Sequence, residues 1–385
     1  MKVRAEKLKN IKPSGIRRIF DLAQGLEGVI SLGLGAPDFD TPEYIKNEMI
    51  KALKEGYTSY SPNPGYIELR NAIVQKYENE YGLNYKPDKE VCVTCGGCEG
   101  LFNVFQALID VKDEVLIPDP GFLTYPAQVI LAGGTPKTYP LRESNNFEID
   151  PDELNESITP QTKIIVINFP NNPTGSIMNE RKLKKIFEIA EDNDVLILSD
   201  EVYEKLVYDR NKHVCLATLG DQDRVIVLNS FSKTYCMTGW RLGYVLACER
   251  IINSINLVHQ MNSACANSAA QVAAVGALKG DQSFTETIRN EFEERRNIIS
   301  DGLNKLDGIK CVKPGGAFYV FPNISGTGMN SREFSEHLIS TAKVATVPGN
   351  EFGELGENHL RLAYTIPKDK IKEALERIKE ALASI

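Results

Sequence analysis

The sequence predicts an α/β protein: a large unit whose mainly parallel sheet is flanked by helices, followed by a smaller α+β unit. Three observations carry this expectation. At 385 residues the chain exceeds what one hydrophobic core usually serves, so two domains are expected. Its middle alternates short β-branched runs with amphipathic stretches, the pattern of strands joined by right-handed crossover helices. Toward the C-terminus that alternation gives way to long charged helices and isolated strands.

In order, "EVCVT", "DEVLIP", "KIIVINF", "DVLILSD", "RVIVLN" and "GYVLAC" are the strand candidates. They are dense in Val, Ile and Leu, which fits strands covered on both faces. Between them, "GLFNVFQALID" and "ERKLKKIFEIAEDN" carry the spacing of amphipathic helices. In the tail, "SFTETIRNEFEERRNIISDGLNKL" reads as one long charged helix, "GAFYVFP" as a strand and "SREFSEHLISTA" as a helix. "HLRLAYT" follows as a strand and "KDKIKEALERIKEALASI" as a terminal helix. There is no internal repeat and no low-complexity linker.

Composition narrows the function. The chain is 42% hydrophobic and 25% charged, as soluble globular proteins are. A net charge of −8 without a long basic run argues against a nucleic-acid surface, which needs clustered positive charge. No apolar stretch approaches the roughly 18 residues of a membrane span, and "MKVRAEKLKN" has no apolar core for a signal peptide. Eight scattered cysteines suit a reducing cytosol. Four histidines, His213, His259, His337 and His359, are far apart in sequence, against a local metal motif.

"VCVTCGGCEG" concentrates Cys92, Cys95 and Cys98. Cys92 and Cys95 are an odd number of residues apart on an expected strand, so they point to opposite faces unless the strand ends between them. No fourth ligand is near, and the spacing is not a ferredoxin series. Cys92 therefore reads as a small core residue, and no metal is expected. The position says more. A strand ends at Thr94, Gly96 and Gly97 follow, and a helix is expected from near Glu99. Such a junction gathers free N–H groups and a helix dipole, and glycine admits a ligand to the backbone. Taken alone, the stretch could equally be a tight turn without a ligand. The absence of GxGxxG here, and of GxxxxGK[ST] anywhere, argues against a dinucleotide or P-loop site.

"NSFSKTYCMTGWRLGY" (229–244) gathers Ser230, Ser232, Lys233 and Arg241 after an expected strand. A lysine near an arginine lies in a positive field, which favours the neutral amine that Schiff-base chemistry requires. With this stretch the chain, over nearly its whole length, resembles the pyridoxal-phosphate enzymes of fold type I, specifically the class I/II aminotransferases. The likeness runs in order through "SLGLGAPDFDTP" (31–42), "SYSPNPGYIELR" (59–70), "TCGGCEGLF" (94–102), "FPNNPTG" (169–175) and "SDEVYEKLVY" (199–208). It continues through the lysine stretch, "GGAFYVFP" (315–322) and "HLRLAY" (359–364).

The resemblance implies roles. Lys233 holds pyridoxal phosphate covalently, then moves a proton between the substrate Cα and the cofactor C4′. Asp200, at a strand's carboxyl end, keeps the pyridine nitrogen protonated; by itself it would serve better as the N-cap of a helix at "EVYEKL". Tyr203 and Asn172 bond the cofactor's phenolic oxygen, with Asn172–Pro173 cis. Phe122 stacks on the ring. The phosphate cup combines the Gly96, Gly97 and Cys98 N–H groups with Ser230, Ser232 and Arg241, and Tyr60 reaches the phosphate of a neighbouring subunit in an obligatory homodimer. Arg361 grips the substrate α-carboxylate in two prongs, joined by the Gly35 N–H and by Asn172. The implied division is an N-terminal arm over 1–45 packing with the small unit, a large cofactor-binding unit over 46–285 and a small unit over 286–385.

The function that follows is transamination between an L-amino acid and a 2-oxo acid, with 2-oxoglutarate the expected acceptor. The segment "IKPSGIRRIF" is expected over the substrate, where Ile16 is apolar while Arg17 and Arg18 offer charge. That places aspartate ahead of aromatic donors, and alanine behind both. A carbon–sulfur β-lyase on the same fold and a metal-binding protein on a relic fold are the rival readings.

Overall fold

The computed structural model describes residues 3–11 and 27–383; Ile16, Arg17 and Arg18 lie outside them. Eight strands come first: β1 (Ile30–Ser31), β2 (Val91–Thr94), β3 (Glu114–Asp119), β4 (Thr135–Pro140), β5 (Thr162–Asn168), β6 (Leu196–Asp200), β7 (Val225–Ser230) and β8 (Gly243–Leu246). The last seven form one sheet in the order β2-β8-β7-β6-β5-β3-β4. β8 alone is reversed, antiparallel to both β2 and β7, and the other pairs are parallel. The apolar runs are buried on both faces: Ile164, Val166, Ile226 and Leu228 enter one core cluster, Ile165, Ile167, Val225 and Val227 another.

One sheet strand escaped the sequence reading. β4, "TPKTYP", carries two prolines and has mostly solvent-accessible residues, so it lacks the apolar density of the other strands. It lies at the sheet edge, where a missing N–H costs no ladder bond.

The C-terminal part builds a three-stranded antiparallel sheet from β9 (Tyr319–Val320), β11 (Val347–Pro348) and β12 (Leu360–Ala363). The long charged helix runs Ser283–Leu303 and the terminal helix Lys368–Leu382. "SREFSEHLISTA" starts on an Asn330–Glu333 capping box and is α-helical only over Ser331–His337, continuing as a π-helical turn over Leu338–Ala342. "GAFYVFP" yields just the two residues of β9. Ala317 has φ 56° and Pro322 has no N–H, so regular pairing is confined between them. Downstream lies β10 (Val344–Ala345), and β1 pairs with it in parallel, which ties residues 30–31 to the C-terminal part.

Asn168, Asp200 and Ser230 end β5, β6 and β7 at one edge of the large sheet, the edge where open α/β sheets present binding groups. No helix follows Asp200. Residues 202–205 form turns closed by Glu204 N–H to Glu201 O and Leu206 N–H to Tyr203 O. This loop packs Tyr203, Leu206 and Tyr208 into the C-terminal core cluster. Among the described residues no helix is long and apolar enough to cross a membrane.

Candidate active site

At that edge a cavity of about 330 Å³ opens between the large sheet and the C-terminal part. The size is in the range of small-molecule and cofactor sites. One end of it is the β2–helix junction. The helix starts at Gly97, after Gly96 with φ 87°, a conformation that favours glycine. A Cβ on Gly96 would stand 2.6 Å from Arg241 Nη2, so glycine is what lets the guanidinium lie over the helix N-terminus. Gly97, Cys98, Ser230, Ser232, Thr238 and Arg241 line this end of the cavity. Ser230 Oγ accepts from the Ser232 N–H at 3.2 Å, which fixes the turn carrying Lys233.

Lys233 Nζ donates to Gly35 O at 2.7 Å. Burial, then the Arg361 charge, pulls its pKa down to about 8. Asp200, 4% exposed, behaves oppositely: burial pushes its carboxyl up to about 6, although the Tyr125 hydroxyl donates to it at 2.6 Å. The Asn168 amide donates to the Asp200 carbonyl at 2.9 Å and holds the strand end in place. Phe122 lines the cavity beside Tyr125.

Arg361 projects from β12 into the same space. Its guanidinium donates to Gly33 O at 2.7 Å and Asn172 Oδ1 at 3.2 Å. It lies between the rings of Tyr319 and Phe352, 4.7 and 4.9 Å from their centroids. Its Nε is buried with no partner among the described residues. An orphaned buried donor beside two anchored ones matches a bidentate carboxylate ligand. Tyr203 also faces the cavity, and Asn172–Pro173 is cis.

Two residues named from sequence do not line this cavity. Gly96 acts from behind it through Arg241. Tyr60, 87% exposed, lies in a separate surface groove with Tyr57 and residues 265–269. Several residues were missed. Tyr125 lies one helical turn past Phe122 and Tyr319 directly after Phe318 in "GGAFYVFP", and those positions were their only signal. Beyond lying near the helix start, Glu99 braces the junction: its carboxylate accepts from Cys95 N at 2.6 Å and pairs with His259 Nδ1 at 2.7 Å. Of the three cysteines, Cys92 is buried in the sheet, Cys95 partly buried and Cys98 exposed toward the cavity. Among the described residues the one cluster of metal-ligand type is Glu201, Glu204 and His213, and it contains no cysteine.

Comparison with known proteins gives this geometry a family. The model of aminotransferase class I and II matches residues 27–378. An aspartate aminotransferase of Pyrococcus horikoshii is 45% identical over 98% of this chain and 97% of its own. Aromatic-amino-acid aminotransferase 2 of Thermococcus litoralis is 44% identical over 98% of both chains. Among solved structures, an alanine aminotransferase from Pyrococcus furiosus superposes with a TM-score of 0.95 at 34% identity, covering 99% of this chain and all of that one. The chain belongs to the class I and II aminotransferase family.

Proposed function

We propose that this aminotransferase uses pyridoxal 5′-phosphate to carry an amino group from an L-amino acid, aspartate first, to a 2-oxo acid, 2-oxoglutarate first. The observation that carries the reading is convergence. Lys233, Asp200 and Arg361 come from three distant parts of the chain onto one cavity with a helix N-terminus at its end. The donor set fits the cofactor. The glycine-lined cup under Arg241 suits a phosphate, the buried Asp200 suits a protonated ring nitrogen, and Lys233 suits its aldehyde.

Bound there, pyridoxal phosphate supplies a carbonyl that condenses with amines and a ring that withdraws electrons from the substrate Cα. The chain's own residues do the rest. Gly97 and Cys98 N–H groups, Ser230, Ser232 and Arg241 hold the phosphate. Asp200, steadied by Tyr125, keeps its charge opposite the ring nitrogen, because a cation placed there offsets the burial that otherwise raises its pKa. Phe122 covers one ring face. Tyr203 and Asn172 bond the ring oxygen. Arg361 and the Gly35 N–H orient the substrate α-carboxylate so that the Cα hydrogen faces Lys233. Lys233, with its pKa near 8, accepts and returns that proton at working pH.

The cations lining the cavity among the described residues are Lys233, Arg241 and Arg361, and each already has a role. Arg17 and Arg18 are the sequence's candidates for a distal carboxylate. The names of relatives support aspartate, aromatic and alanine donors alike, and aspartate leads on that basic pair. We also propose a homodimer in which Tyr60 completes the phosphate cup of the partner, and the three-part division at residues 45 and 285. Steady-state assays with aspartate, phenylalanine and alanine against 2-oxoglutarate test the donor. Aspartate is expected to give the highest kcat/KM; turnover of none of them, with ammonia released from cystathionine without an oxo acid, would replace transamination by β-elimination.

A further inference from the structure

Tyr203 Oη and Tyr319 Oη face each other at 2.9 Å. They are 3% and 1% exposed, and both line the cavity. Two hydroxyls hold two hydrogens, and the contact between them uses one. Neither hydroxyl has another hydrogen-bond partner among the described residues, so one donor is left over. A buried donor without an acceptor is costly, and the only open direction is the cavity. On the Tyr319 side Gly35 closes the space: a Cβ there would collide with the Tyr319 hydroxyl. Either hydroxyl can donate in this contact; the crowding of Tyr319 by Gly35 favours the arrangement in which Tyr319 donates and the spare hydrogen is that of Tyr203. The Tyr319 ring meanwhile lies against the Arg361 guanidinium at 4.7 Å, so it has little freedom to turn away.

We propose that Tyr319 is a positioning residue: its hydroxyl donates to Tyr203 and holds the Tyr203 hydrogen turned into the site, toward the cofactor's ring oxygen. The inference rests on the reading that pyridoxal phosphate occupies the cavity. A hydroxyl that accepts one hydrogen bond becomes a stronger donor in the next. Stronger donation to the ring oxygen stabilises its negative charge, and so lowers the pH at which the adjoining cofactor nitrogen loses its proton. Arg361 from β12, Asp200 from β6 and Lys233 after β7 are the charged groups facing this pair. All three stay in place in the variants below.

The test is an absorbance titration of the holoenzyme, reading the pH midpoint of the cofactor's visible band. Tyr319→Phe keeps the ring, its packing on Arg361 and the fold, and removes one hydroxyl. Its midpoint is expected to rise by about one pH unit, the scale of one hydrogen bond. Tyr203→Phe is expected to raise it further, and adding Tyr319→Phe to Tyr203→Phe to change nothing more. A Tyr319→Phe midpoint equal to wild type would overturn the proposal, as would a shift that persists without the Tyr203 hydroxyl. A wild-type protein with no visible band after addition of pyridoxal phosphate would overturn the cofactor reading, and this inference with it.

Discussion

At the residue scale, the site places charges where burial opposes them, and each has a measurable consequence. Lys233→Ala removes the group proposed to bond the cofactor and to move the Cα proton. Turnover is expected to fall below roughly one ten-thousandth of wild type with the far-ultraviolet spectrum unchanged; substantial residual transamination would refute the role. Arg361→Ala is expected to raise KM for both the amino and the oxo acid by roughly ten- to a hundredfold, the scale of a charged hydrogen bond. Asp200 makes a stability prediction with a definite sign. Its folded pKa of about 6 exceeds the ordinary 3.8, so in cofactor-free protein the buried charge costs nothing below pH 3.8 and its full penalty above pH 6. That penalty is about 3 kcal/mol. Cofactor-free Asp200→Asn should therefore melt higher than wild type at pH 8, with the difference vanishing near pH 4. Lys233, Asp200 and Arg361 were legible because each sits in a recognisable run of residues. Tyr125 and Tyr319 were not, because a tyrosine in such a run reads equally as core until the geometry shows what its hydroxyl touches.

At the scale of elements, the loop after β6 is held by more than its own turns. Lys76, on the helix Ile67–Tyr81, pairs with Glu204 at 2.6 Å, and both side chains are buried. The Tyr81 hydroxyl donates to the other Glu204 oxygen at 2.8 Å. Burial disfavours both charges, yet mutual attraction holds Glu204 below and Lys76 above their ordinary ranges. Lys76→Met keeps the volume and strands the carboxylate, so unfolding in urea should show a loss of about 3–5 kcal/mol. Adding Glu204→Gln should recover much of that loss. No sequence pattern announces this pair, whose members stand 128 residues apart. The strands β2, β3 and β5 to β8 were legible because continuous Val, Ile and Leu runs leave little alternative. β4 was not, since an exposed edge strand with prolines carries none of that signal. The helix that "EVYEKL" taken alone would suggest after Asp200 does not form: its composition is acceptable for a helix, but its residues are drawn apart, Tyr203 and Leu206 into the C-terminal cluster and Glu204 to Lys76.

In the whole molecule, a large sheet supplies the proposed cup, Lys233 and Asp200, and a C-terminal part supplies Arg361 and Tyr319. That two-part architecture was legible from the change in pattern along the chain; the pairing of β1 with β10 was not, because two-residue strands carry no periodicity, and the resemblance implied only that the N-terminal residues pack with the small unit. The proposed homodimer makes a prediction of its own. Tyr60 is so exposed that Tyr60→Ala should leave the fold and the mass of the particle unchanged while weakening cofactor retention about tenfold, one hydrogen bond's worth. Sedimentation equilibrium with a cofactor titration reads both. The central claim, cofactor-borne transfer of an amino group, is tested most directly by the absorbance spectrum of purified protein with pyridoxal phosphate, recorded before and after aspartate and then 2-oxoglutarate. The expected result is a visible band that aspartate bleaches and 2-oxoglutarate restores. A band that survives aspartate, phenylalanine and alanine alike, or no band at all, would contradict it.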